Sequence, residues 1–374
     1  MKQTTSIDTI VVGGGIIGMS VAYGLARAGQ RVTVLDQGDD VFRAARGNFG
    51  LVWVQGKGLN HLEYARWSLA SAQRWAAFAT ELVERTGIDL ELSQIGGLRL
   101  ALTEEALARS VDDMGRIRDT IGMPYPFERL DRAALRERLP HVGPDVVGAL
   151  YSSMDGHVSP LRLLRSLLVA FKALAGVVRT GEGAEAIEHR GGEFQVRTRT
   201  GCHVAGRIVL AAGLGNKALA PHVGLAAPVH PERGQIIVTE RVTPFLRYPT
   251  SHVRQTGEGV VQLGDSKEAT GYDDGTTTSE LGRIARNAAR QFPLLDGVNV
   301  MRAWGALRVM TPDGYPIYQA SQACPGAFLV TCHSGITLAA NHAGVIADWI
   351  RGADTPPAIL TFKADRFHVQ TASR

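Results

Sequence analysis

Three glycines spaced as Gly13-x-Gly15-x-x-Gly18, with Asp36 at the end of the next apolar run, are suited to holding a pyrophosphate and a ribose. A chain that leaves the strand Thr9 to Val12 must turn sharply, which Gly13 permits. Gly15 lets the backbone approach the phosphates, where free amides and the positive end of a helix stabilise their charge. Gly18 lets that helix lie close on the sheet. Asp36 ends the second strand, where its carboxylate accepts hydrogen bonds from ribose hydroxyls. The order strand, glycine turn, helix, strand and acid separates this from a chance glycine-rich turn and predicts a dinucleotide. A carboxylate at 36 would repel a 2′-phosphate, which leaves FAD or NAD.

Other chemistries find little support. No histidine pairs with Cys, Asp or Glu at metal-ligand spacing, so no metal site is expected. Ser334 lacks a nucleophile-elbow pattern, and Cys202, Cys324 and Cys332 form neither a redox pair nor a disulfide framework. Three scattered cysteines fit a reducing compartment. The net charge of +4 is spread along the chain without a basic tract, which argues against nucleic acid and allows small anionic ligands. The uncharged stretch Thr9 to Ala26 is long enough to span a bilayer, but its glycines read as the nucleotide turn and helix. No transmembrane segment is expected. The expected location is cytoplasmic, with peripheral attachment to the inner membrane as the alternative.

These residues need a frame of 374 residues, enough for one large or two interleaved domains. After Asp36 comes a glycine-rich loop, Arg46 to Gly58, and an amphipathic helix from about Leu62 to Glu84. A strand at Gly97 to Leu102 and polar helices around Glu104 to Ile121 and Arg132 to Arg138 follow. Helix Leu161 to Leu174 and strand Gly176 to Thr180 return the chain to the nucleotide fold. A hairpin turns at Gly191-Gly192, and the short strand Arg207 to Ala212 ends in small residues at Gly213, where a backbone passes close to a ligand. From Pro228 to Val300 the pattern is β-rich. Strand Ala327 to Thr331, the turn Cys332-His333-Ser334-Gly335 and a helix from Ile336 to Arg351 close the chain and repeat the opening logic. The fold class is therefore α/β (α+β). A Rossmann-type domain is assigned to 1–85, 150–225 and 300–374, with an inserted, discontinuous antiparallel β-sheet domain for substrate at 86–149 and 226–299.

Several features together resemble the FAD-dependent D-amino-acid oxidase family, in the branch of glycine oxidase, sarcosine oxidase and the β subunits of bacterial D-hydroxyproline and opine dehydrogenases. They are Gly13-x-Gly15-x-x-Gly18, Gly47-Asn48-x-Gly50, Asp155-Gly156-x-Val158-x-Pro160, Val209 to Gly213, Pro228 with Arg233-Gly234-Gln235, Trp304 to Gly314, and His333 to Ala339, in family order across the chain. The resemblance implies FAD held by Gly13, Gly15, Ile16, Ile17, Gly18, Asp36, Gly47, Asn48, Gly50, Ala184, Gly213, Gly335, Ile336, Thr337 and Leu338. Sarcosine oxidases attach FAD through a cysteine where this chain has Ala306, which implies non-covalent binding. The loop Cys332-His333-Ser334 is shorter than that of glycine oxidase, and the wording from Arg46 to Gln55 is nearest the multisubunit dehydrogenase chains.

Enzymes of this kind move an α-hydrogen as hydride to flavin N5 and must hold the substrate carboxylate in place, for which a guanidinium fork is well shaped. The resemblance puts Arg308 in that role. His333, at the turn near the flavin, is expected to touch flavin or substrate, or to accept the amine proton. Trp53 and Gln55, with Lys57, are candidates for the pocket wall, and Arg254 and Tyr272 are weaker candidates on the substrate side. The implied reaction is oxidation of the Cα–N bond of a D-amino or cyclic imino acid of the D-hydroxyproline or D-proline type, as a dehydrogenase subunit. Alternatives are an opine, glycine or sarcosine-type oxidase using O2, and a nicotinamide-dependent reductase; a non-catalytic FAD-bearing subunit is a third. Gly213-Leu-Gly215 lacks the third glycine of a second dinucleotide motif, which disfavours the reductase. A dehydrogenase complex would bring small iron–sulfur and second flavoprotein subunits as partners, since three cysteines cannot ligate a cluster.

Overall fold

The computed structural model describes residues 7–38 and 44–367. Its central sheet runs Ile317–Ala320, Ala327–Thr331, Gly201–Leu210, Ile7–Val12, Val32–Asp36 and Val177–Thr180. Neighbours are parallel except at the Ile317–Ala320 edge, and the hairpin Ala186–Arg190 with Glu193–Thr198 extends the sheet from Gly201–Leu210. Successive residues of the first strand enter opposite cores. Val11 packs with the helices Ile16–Arg27 and Pro160–Ala173, while Ile10 and Val12 join Phe194, Val196 and Leu329 on the other face. Burial on both faces is why this strand reads as an unbroken apolar run rather than an alternating one.

A second layer is antiparallel. The sheet Val253–Gln255, Val260–Gly264, His230–Arg241, Val300–Met310 meets a three-stranded sheet of Gly97–Ala101, Gly148–Ser152 and Glu128–Asp131. Leu98 joins the two, donating to Pro249 O at 2.9 Å and accepting from Ser251 N at 3.2 Å. Their shared core includes Leu98, Leu130, Ile237, Val253, Leu263 and Phe292.

Two elements depart from expectation. The β-rich stretch contains a helix, Thr278–Gln291, which buries Ile284 and Ala288 against the second-layer core. Leu281, Ile284, Ala285 and Ala288 carry the helical spacing that the β-rich reading passed over. The closing helix starts at Ala339 rather than Ile336 and widens into a π-helical turn over His342–Ile346. Trp75 Nε1 donates to the carbonyls of Ile336 and Thr337 at 3.2 and 3.1 Å, and Ile336 O also accepts from Ala339 N at 3.2 Å in a turn before the helix. The π turn packs on Gly24, where a Cβ would stand 2.6 Å from Ala347 Cβ. Gly24 is thus a contact between helices.

Candidate functional site

The glycine turn leads into a trench of about 340 Å³ lined by Gly13 to Ile17, Asp36, Ala184, Ala211 to Gly213, Cys332, His333 and Ile336. Each motif glycine meets a different constraint. Gly13 has φ +110, and a Cβ there would stand 2.7 Å from the carbonyl carbon of Ala211. At Gly18 a Cβ would stand 3.0 Å from the carbonyl carbon of Gly13 and inside the radius of its oxygen. Gly15 differs: its Cβ would meet only Ala45 Cβ, at 3.7 Å, and would otherwise point into the trench. The helix behind it has no side-chain cap. Among the described residues the amides of Gly15, Ile16 and Ile17 find no acceptor. Such amides suit an anion. Asp36 Oδ2 accepts from Gly14 N at 2.6 Å and Oδ1 from Gly38 N at 2.8 Å, which fixes the carboxylate at the trench wall.

The amides of Gly335, Ile336 and Thr337 also find no acceptor among the described residues. They stand in the turn just before the helix, where amides have no carbonyl a turn earlier to bond. Two groups of free donors therefore line the cavities, and they adjoin, since a Cβ at Gly335 would stand 3.4 Å from Ile17 Cγ1; the donor set fits a ligand with a pyrophosphate and an electron-rich ring. The residues present therefore fit FAD.

Cys332, His333, Ile336, Asn48 and Val309 line both the trench and an adjoining cleft of about 250 Å³. The cleft is closed by Phe49, Trp53, Lys57, Gly234, Asp265 and Arg308. Asn48 Oδ1 accepts from Gly50 N at 2.7 Å, and Gly50 has φ +91 with its carbonyl accepting from Val158 N at 2.9 Å; together they hold the loop in a tight turn. Gly47 packs against Ala306 and accepts from Trp304 Nε1 at 3.3 Å.

Arg308 is positioned by strand register. It lies opposite Glu232 in the antiparallel pairing. Its Nη1 donates to Glu232 Oε1 at 3.0 Å and its Nη2 to Asp265. The guanidinium lies over Gly234, where a Cβ would stand 2.7 Å from Cζ. The flanking Arg233 and Gln235 clamp the loop that carries Asp265: Arg233 Nη2 donates to Glu268 Oε2 at 2.7 Å and Gln235 Nε2 to Glu268 Oε1 at 2.9 Å. Desolvation works to raise the Glu268 pKa, but the bonds from Arg233, Ser266 and Gln235 prevail and hold it at about 2. The Arg-Gly-Gln motif thus supplies a bare floor for one guanidinium and anchors the loop opposite it.

Trp53 lines the cleft, and its N–H donates to Thr337 Oγ1 at 3.2 Å. Behind it, fully buried Asp155 accepts from Val54 N at 2.5 Å and from Gln55 Nε2 at 2.7 Å. His333 keeps an exposed side chain, and it lines both cavities. Desolvation, then Lys57, Arg308 and Lys267, push its pKa well below the usual histidine range. The ring can hydrogen-bond, and the cations near it disfavour a second proton. Burial pushes the Cys332 thiol up to about 12, so it is no nucleophile.

Not every expected residue reaches the cleft. Gln55 turns inward to Asp155 and the carbonyl of Gly97. Arg254 is 2% exposed behind Phe49, its Nε donating to Gln262 Oε1 at 2.9 Å. Tyr272 is 68% exposed on the outer surface. None of the three lines either cavity. Leu338 is buried beside the free amides without lining the trench. Sequence reasoning missed Asp265, Glu232, Phe49 and Ser251. Glu232 had one available signal, the antiparallel register that sets it opposite Arg308.

Among the described residues no helix is long and apolar enough to cross a membrane, and no group of His, Cys, Asp and Glu could hold a metal ion. A family model described as FAD dependent oxidoreductase matches residues 8–349. The B subunit of opine oxidase from Agrobacterium tumefaciens is 44% identical over 367 residues, covering 98% of this chain and 99% of that protein. Glycine oxidase of Pseudomonas putida is 29% identical over 93% of this chain and 96% of its own length. The structure of glycine oxidase from Geobacillus kaustophilus superposes with a TM-score of 0.87, covering 96% of this chain and 98% of that one at 24% identity, a likeness of fold.

Proposed function

Because the chain belongs to the FAD-dependent oxidoreductase (DAO) family, we propose that it oxidises the Cα–N bond of an N-substituted amino acid of the opine type, as the flavin-bearing subunit of a larger assembly. The observation that carries this is the shared wall of the two cavities: a trench that fits FAD opens at Cys332 and His333 into a cleft holding Arg308. Two relatives, each named as the B subunit of an opine oxidase and 44% and 42% identical over nearly the full chain, support the substrate type and the multisubunit setting. A cyclic imino acid of the D-hydroxyproline or D-proline type is the alternative. Small iron–sulfur and second flavoprotein subunits are the proposed partners, and the FAD is proposed to be non-covalent because Ala306 offers no sulfur.

FAD, when bound, supplies the acceptor for the α-hydrogen as hydride. The remaining work belongs to side chains. Arg308 holds the substrate carboxylate in a fixed plane, and Asp265 with Glu232 keeps the guanidinium in position before substrate arrives. Phe49 and Trp53 narrow the cleft and exclude water. Loss of the Cα hydride and the N–H proton leaves an imine, which water splits into a 2-oxo acid and a free amine.

The test is anaerobic bleaching of the bound flavin by opines, D-hydroxyproline, D-proline, sarcosine, glycine and D-alanine, followed by air. Bleaching by opines with slow reoxidation supports a dehydrogenase subunit, and rapid reoxidation with peroxide makes it an oxidase. Bleaching by NADH and by no amine refutes the proposal.

A further inference from the structure

Two cations line the cleft, and they are differently partnered. Arg308 meets two carboxylates, Asp265 and Glu232. Lys57 meets none among the described residues: its Nζ contacts Ser334 Oγ and lies 3.4 Å from Tyr64 OH, which is itself 2.8 Å from Ser334 Oγ. Half-buried in the cleft wall, it is a cation held by neutral hydroxyls.

We propose that Lys57 anchors a second carboxylate of the substrate, so that the cleft selects secondary amines with carboxylates on both sides of the reacting nitrogen, one on Arg308 and one on Lys57. This rests on the reading that the chain oxidises an opine-type amine, and adds the residue that reads its second carboxylate.

The argument is one of charge balance. Around Arg308 there are two carboxylates for one guanidinium, so a lone incoming carboxylate meets repulsion as well as a fork. At Lys57 the incoming charge meets an ammonium with no competitor. The hydroxyls of Ser334 and Tyr64 fix its position and leave a donor free for a charge-assisted bond. Both cations line the same cleft with His333, so the anchors belong to one site. Two carboxylates joined through nitrogen would then engage as a bivalent ligand, which sets the Cα–H direction more firmly than one anchor.

The experiment uses the FAD-loaded chain and matched ligand pairs. Glutarate and butyrate are non-oxidisable carboxylates with two acids and one; their binding is read from perturbation of the flavin spectrum. Iminodiacetate and sarcosine are oxidisable amines that differ by one carboxylate. In the wild type, glutarate binds more tightly than butyrate and iminodiacetate has the higher kcat/KM. Lys57→Met lowers both preferences by about 10- to 100-fold, as expected for one charge-assisted hydrogen bond in a partly desolvated site. Lys57→Arg restores most of the loss.

Unchanged preferences in Lys57→Met overturn the proposal. So does an equal loss for both members of each pair accompanied by a shifted flavin potential, because Lys57 would then serve the cofactor. If no amine bleaches the wild-type flavin, the amine-oxidation reading fails by itself, while the glutarate and butyrate titrations still decide whether Lys57 binds a second carboxylate.

Discussion

Alanine at Gly15 and alanine at Gly18 should fail in opposite ways, although the residues share one turn. The Gly15 backbone, at φ −75 and ψ −178, is open to any residue, and a Cβ there meets protein only at 3.7 Å. Gly15→Ala should therefore fold, with stability changed by no more than about 1 kcal/mol as the loss of a favourable N-cap offsets the gain from a stiffer unfolded chain. The methyl group would occupy the approach to the free amides of Ile16 and Ile17. Losing two hydrogen bonds to a charged phosphate, at about 1.5–3 kcal/mol each, weakens FAD binding by roughly 10²- to 10⁴-fold. Gly18→Ala puts its methyl inside the radius of Gly13 O, 3.0 Å from the carbonyl carbon, and must push the helix off the sheet. Overpacking of that kind costs about 1–3 kcal/mol or more before any cofactor is considered. The assay is thermal unfolding of the FAD-free proteins, with FAD affinity from fluorescence quenching. Wild-type FAD affinity in Gly15→Ala, or an unchanged apoprotein Tm in Gly18→Ala, would refute the reasoning.

Arg308→Gln should retain FAD but lower kcat/KM for carboxylate substrates by roughly 30-fold or more, since a charged anchor is worth about 2–5 kcal/mol; loss of FAD in place of loss of kcat/KM would show that the residue serves the fold. Gly50→Ala should destabilise the protein by about 1–3 kcal/mol, because φ is +91 and the new Cβ would press on Val158 O and stand 3.1 Å from Pro160 Cδ; an unchanged Tm argues against this. Burial lifts the Asp155 carboxyl from 3.8 to about 7, against hydrogen bonds from Val54 and Gln55. The fold holds a proton that the unfolded chain releases, so this stabilisation is full below pH 3.8 and lost as pH rises through about 7. The Tm advantage of wild type over Asp155→Asn should shrink from about pH 5 to about pH 8, by at most ~3 kcal/mol in stability terms; an advantage that grows with pH contradicts it.

What the sequence revealed follows from how locally each residue is constrained. Gly13 and Gly18 are legible because a neighbouring backbone leaves no room for a Cβ, and the strand and helix around them lie within a few residues. Arg308 is legible from its motif, but its setting is not. Asp265 reaches it only because Arg233 and Gln235 clamp a distant loop, and Glu232 only through register across two strands. Arg254 and Gln55 misled because a polar side chain near the site in sequence can be turned inward to hold the wall. The helix Thr278–Gln291 was legible from Leu281, Ile284, Ala285 and Ala288 at helical spacing, and was passed over because the strands on either side set the reading of the whole stretch.

The wall made by Cys332, His333 and Ile336 belongs to two rooms at once. A ligand in either room that prefers one position of this wall changes the free energy of filling the other, and thermodynamic reciprocity makes that effect equal in both directions. Carboxylates that tighten the cleft should slow the escape of FAD by the same factor by which FAD tightens them, if their entry rates are unchanged. In such a protein, substrate abundance acts on cofactor retention, and substitutions selected for a new substrate carry a change in flavin occupancy with them.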